Sequence, residues 1–244
     1  MTEVHVFAGP SLYGASRTGE VVWHPPAAAG DMLALADDKR KIVVLIDGLF
    51  GASRSPWHKE ILILLAHGIP VIGAASMGAL RAAELDRFGV VGVGAVYRSY
   101  ARGTLVADDA VALLHAPAAL GHCPLTIAEV DLRALLVRWV RKRAILPAQA
   151  RAALVDIIAT HYARRDGAWA AQLWARHALP GRAPTPTVAG QKQADALVAI
   201  EMALETARSP KASPMTRRPP MPPGSLFISA IQPDFKQTSA QSPA

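Results

Sequence analysis

The chain has 244 residues, 51% of them hydrophobic, and a formal net charge of +7. That length buries one sizeable core with a small appended lobe. With no apolar run near the roughly 20 residues of a membrane helix, no signal-like N-terminus and a lone Cys123 that excludes an intramolecular disulfide, a cytoplasmic protein away from the membrane is expected.

In chain order, Val4 to Ala8 reads as a short buried strand closed by Gly9-Pro10-Ser11. Val21-Val22-Trp23 is a second extended piece, ended by Pro25-Pro26. Asp31 is placed to cap a helix through Met32, Leu33 and Leu35. Ile42 to Ile46 is an unbroken apolar run, the pattern of a strand buried on both faces, and it stops at Asp47-Gly48. Ser55-Pro56 predicts a helix start, with Ser at N-cap and Pro at N1. That helix runs through Trp57, Glu60 and Leu64 to His67, with Gly68 as its C-terminal cap. Pro70 to Ala75 is the next strand, and Ser76 opens a helix from Met77 to Arg87. Strand, helix, strand and helix in this order predict a parallel sheet with a right-handed crossover.

Gly89 to Tyr97 alternates Val and Gly and reads as a strand with tight turns. Helices are expected at Asp131 to Arg143, at Ala148 to Arg164, around Trp169 and Trp174, and at Gln191 to Ala207. Basic residues gather on the first two, among them Arg133, Arg138, Arg141, Lys142, Arg143 and Arg151. Such a cluster is either a solvated face or a docking surface for an acidic partner. After Arg208 the chain turns to Pro, Ser and Lys, a composition too poor in large apolar side chains to order itself. The expected architecture is α/β: a small, mainly parallel sheet flanked by helices in residues 1–125, a helical region in 126–207 packed on it, and a disordered tail in 208–244.

In an open parallel sheet, ligands bind at the carboxyl ends of the strands. Three such ends are Gly9-Pro10-Ser11, Asp47-Gly48 and Gly73-Ala74-Ala75-Ser76, all small enough for backbone to approach a ligand. Ala74-Ala75-Ser76-Met77-Gly78 is similar to the nucleophile elbow G-x-S-x-G, with Ala in place of the first Gly. That turn aims a hydroxyl off the sheet and sets the Met77 N–H near developing negative charge. Ser is equally a favoured N-cap, which leaves a purely structural role open.

A serine nucleophile needs a base. Asp108, Asp109 and His115 follow downstream, and Lys59 is the alternative. Lys59 falls in the first turn of a predicted helix, where a cation opposes the helix dipole and the uncharged amine of a base is favoured. The eight histidines show no metal-ligand spacing, so no metal site is expected. No phosphate-binding glycine motif is present, so no nucleotide cofactor is expected. Cys123, between His122 and Pro124, has no evident activating neighbour and reads as an inert thiol.

Several blocks together carry a family resemblance. They are Val6-Phe7-Ala8-Gly9-Pro10-Ser11, Leu45-Ile46-Asp47-Gly48-Leu49-Phe50, Trp57-His58-Lys59-Glu60-Ile61-Leu62, the run GAASMGALRAAEL from Gly73 to Leu85, and Asp108-Asp109 to His115. In order and spacing they resemble the TfuA-like proteins. The resemblance implies an accessory enzyme of peptide backbone thioamidation. Its partners would be a YcaO-type enzyme, a ThiS-like sulfur-carrier protein and a peptide substrate. The activity implied is hydrolysis of the carrier's C-terminal thiocarboxylate, releasing sulfide for the YcaO-type partner.

The family's catalytic Ser and Lys carry over to Ser76 and Lys59. The expected mechanism has Lys59 deprotonate Ser76, with the oxyanion near the Met77 N–H and the Gly9–Ser11 loop. Asp47 would orient Lys59 or a water. Arg81 would bind a carboxylate of the carrier, unless it pairs with Glu84 at i+3. One rival reading is a non-catalytic adaptor that binds the YcaO-type partner and its peptide, with Ser76 only a helix cap. A nucleic-acid-binding protein is the other, and it lacks the aromatic-interleaved basic strand such modules use.

Overall fold

The computed structural model describes residues 2–50 and 54–209. The tail expected to be disordered lies almost wholly outside the described residues. Five strands, β1 (Glu3–Phe7), β2 (Val22–His24), β3 (Lys41–Leu45), β4 (Val71–Ala74) and β5 (Val91–Val93), form one sheet in the order β2-β1-β3-β4-β5. Every pairing is parallel. Seven helices are described: α1 (His58–Ala66), α2 (Met77–Leu85), α3 (Gly94–Ala101), α4 (Glu129–Arg141), α5 (Pro147–Ala159), α6 (Gly167–Arg176) and α7 (Gln191–Arg208).

The apolar run of β3 is explained by cover on both faces. Val43 and Leu45 pack with Ile61 and Leu64 of α1 and Ala82 and Leu85 of α2. Val44, with Ile46 just beyond the strand, turns the other way and packs with Ala196, Ala199 and Ala203 of α7. Fully burying an Ile or Leu such as Ile72 or Leu64 contributes about 1.5–3 kcal/mol. The alanine stripe lets α7 lie close to the sheet, so this last helix is a layer of the α/β core. Helices α4, α5 and α6 instead pack on one another around Leu132, Leu136, Ile157, Leu173 and Trp174.

Three local expectations are corrected. Helix α1 starts at His58, with Trp57 rather than Ser55 as N-cap. The cause is Glu60, whose buried carboxylate accepts the Trp57 N–H at 2.6 Å and the Gly30 N–H at 3.1 Å, a capping box that fixes the start later in the chain. The helix expected through Met32, Leu33 and Leu35 is a 3-10 helix over Asp31–Leu35, with Gly30 rather than Asp31 at its N-cap. The Gly89–Tyr97 segment is strand only over β5 and then becomes α3 at Gly94, where φ is +95°. The Val96 N–H in the first turn of α3 donates to the carboxylate of Asp195 on α7 at 2.8 Å. A cap supplied 99 residues away leaves no local signature.

Candidate active site

Ser76 sits where β4 passes into α2. Ala75 has φ of +66°, and the Ser76 N–H turns back to the Ala74 carbonyl at 2.8 Å, closing a γ-turn. The strained residue is therefore the one before the serine, at a cost of order 1 kcal/mol. Packing holds it there. A Cβ on Gly78 would run into the Leu45 carbonyl, and a Cβ on Gly73 into the Gly78 carbonyl. The Gly78 N–H donates to the Ile46 carbonyl at 3.2 Å. The first turn of α2 is thus wedged against the ends of β3 and β4, which sets Ser76 at the carboxyl edge of the sheet.

A cavity of about 180 Å³ opens there, lined by Pro10, Asp47, Ser76, Met77, His115 and Lys192 among others. The Ser76 hydroxyl faces the Val111 carbonyl at 3.4 Å. Lys192 Nζ donates to the same carbonyl oxygen at 2.9 Å. Lys192 is only 3% exposed. It is the second residue of α7, and its N–H donates to Asp131 Oδ1 of α4 at 2.9 Å, which fixes where the side chain enters the cavity. The sequence reading missed this lysine. The one available sign was a lysine in the first turn of a helix, against the dipole. The N–H of Met77, at the first position of α2, has no acceptor among the described residues and adjoins the hydroxyl.

Asp47 is 2% exposed and fully engaged. Its Oδ2 accepts the Gly9 and Ser11 N–H groups at 2.9 and 3.0 Å, and its Oδ1 accepts the Ser11 hydroxyl at 2.6 Å. A buried carboxylate is held this way when all its partners are supplied by one loop. Asp47 clamps the Gly9–Ser11 turn, and the two amides expected to serve an oxyanion already point at that carboxylate.

The other expected residues divide. His115 lines the cavity; its Nδ1 meets the Ala116 carbonyl at 2.8 Å and its ring packs edge-on to His122 at 5.2 Å. Burial, helped by the neighbouring His115, pushes His122 below the usual histidine range. Asp108 and Asp109 lie in the 3-10 turn Asp108–Val111, outside the cavity lining, and that turn delivers the Val111 carbonyl. Arg81 donates to Glu84 at 2.7 Å and to the Pro56 carbonyl at 3.1 Å, tying the approach to α1 onto α2. Lys59, half-buried in the first turn of α1, is not among the residues lining the cavity.

Among the described residues, no group of three or more His, Cys, Asp or Glu is placed to hold a metal ion, and no helix is long and apolar enough to cross a membrane. What the cavity presents is a hydroxyl, a buried amine on the same acceptor and a free helix N-terminal N–H, a set suited to attack on a carbonyl carbon. Residues 47–166 match the family model described as TfuA-like protein. A search of curated proteins finds no match for the chain.

Proposed function

With residues 47–166 placing the chain in the TfuA-like family, we propose that it hydrolyses a thiocarboxylated, ThiS-like sulfur-carrier protein and so delivers sulfide to a YcaO-type partner that thioamidates a peptide backbone. The observation that carries this reading is the shared Val111 carbonyl, faced by the Ser76 hydroxyl and held by Lys192 Nζ. Ser76 Oγ attacks the thiocarboxylate carbon while a lysine amine takes the hydroxyl proton. Negative charge collects on the carbonyl oxygen, beside the Met77 N–H and the α2 N-terminus. The lysine hands that proton on to the sulfur, and hydrosulfide leaves with the electrons of the broken C–S bond. Water then attacks the acyl-enzyme and regenerates the serine.

Two lysines are in contention for the base. Lys59 is the residue the family resemblance points to. Lys192 is favoured by its place in the cavity lining and by its hydrogen bond. The test is incubation of pure protein with a thiocarboxylated carrier, followed by intact mass of the carrier and a sulfide assay. Exchange of the carrier's sulfur for oxygen, lost in Ser76→Ala, is the expected result. A carrier left intact by the wild type, with peptide and YcaO-type partner still bound, would mark the chain as an adaptor instead.

A further inference from the structure

A second feature lies on the helical side of the molecule. A groove of about 1030 Å³ runs between α3, α4 and α5. Its floor is aliphatic, built from Val96, Leu105, Leu136 and Leu154. Arg98, Arg102, Arg138, Arg141, Lys142 and Arg151 also line it, and no acidic residue does. A seventh cation, Arg133, is answered by Glu129. The other six have no acidic partner among the described residues. Like charges held this close repel one another, and a concave surface of one sign raises the local concentration of the opposite one.

We propose that this groove docks an acidic amphipathic helix of a partner protein, its apolar face on the aliphatic floor and its carboxylates against the arginine rim. Charge selects this occupant. The chain's own remaining segment carries Lys211, Arg217, Arg218 and Lys236 against the single Asp234, so it is repelled. A second copy carries the same +7 charge. Nucleic acid would want aromatic platforms for its bases, and none of the lining side chains is aromatic. The start of α7 links the groove to the candidate active site. Gln191 lines the groove and the next residue, Lys192, lines the Ser76 cavity, so an occupant lies against the N-terminus of α7. The proposal goes beyond the hydrolase reading, and its test needs no turnover, so either can fail alone.

The experiment is fluorescence anisotropy on the full chain. The probes are a labelled helical peptide with Glu and Leu on opposite faces, a polyglutamate of equal charge, and a single-stranded oligonucleotide. The amphipathic peptide is expected to bind at least tenfold tighter than polyglutamate, and more weakly as salt rises. The triple variant Arg98→Glu, Arg138→Glu, Arg141→Glu changes only exposed side chains. It should keep its circular dichroism and melting point and lose peptide binding at least tenfold. Binding unchanged in that variant overturns the proposal, as does polyglutamate binding equally well. An oligonucleotide that binds tighter than the peptide makes the groove a nucleic-acid site and overturns it too.

Discussion

Ser76 and Lys192 converge on one acceptor: the Val111 carbonyl oxygen lies 3.4 Å from the serine Oγ and 2.9 Å from the lysine Nζ. Two groups that share an acceptor are neighbours, and proton transfer between them requires a side chain to swing off that carbonyl or a water to bridge them. Lys192→Ala and Ser76→Ala are each expected to lower sulfide release roughly 10³-fold or more, and the double variant to be little worse than either single. Lys59→Ala in the same assay separates the two lysines. Full activity in Lys192→Ala with none in Lys59→Ala would return the base to α1.

Asp47 gives a second expectation, and it concerns stability. Its carboxylate accepts three hydrogen bonds from Gly9 and Ser11. Asp47→Ala leaves those donors buried and unpaired, which costs about 3 kcal/mol in urea unfolding. Asp47→Asn should fall between the two, because one carbonyl oxygen still accepts. A variant with normal unfolding and no sulfide release would instead make Asp47 a participant in the chemistry.

Gly78 tests the wedge that positions the serine. A methyl group there meets the Leu45 carbonyl, so Gly78→Ala has to push α2 off the end of β3. The expected loss is about 2 kcal/mol, or roughly 4–8 °C in melting temperature for a chain of this size. Gly19→Ala, where an added Cβ meets nothing within 4 Å, is the matched control and should be nearly neutral.

Glu60 makes stability depend on pH. Desolvation pushes its carboxyl up to about 7, even though the N–H groups of Trp57, Gly30 and Met32 pull the other way. Folded protein therefore holds a proton that the unfolded chain releases near its ordinary value of 4.5. The stabilisation from this group is complete below about pH 4.5 and is lost as pH rises towards 7. Relative to Glu60→Gln, wild-type stability should fall by on the order of 3 kcal/mol across that window and then level off. Parallel curves for the two proteins from pH 4 to 8 would refute it.

Much of the sheet was legible because its strands carry their own evidence. The run from Ile42 to Ile46 can only be buried on both faces, and Gly-Ala-Ala-Ser before a helical period marks a strand end opening into a helix. The serine was legible for the same reason. What sequence did not offer was anything made by distant partners. Helix α3 starts where it does because Asp195 caps it from α7, and α1 starts at His58 because Glu60 also holds Gly30. Lys192 escaped notice because its surroundings are supplied by Val111, 81 residues earlier. Asp47 was read as an orienting group because its three donors come from a turn 36 to 38 residues before it.

The alanine stripe of α7 has a consequence for synthesis. During translation Ser76, the wedge of glycines and the Asp47 clamp all leave the ribosome long before the helix that seats Lys192 on the sheet. A nascent or prematurely terminated chain thus carries Ser76 without the buried amine, and the cavity around the serine is completed only with the last described helix.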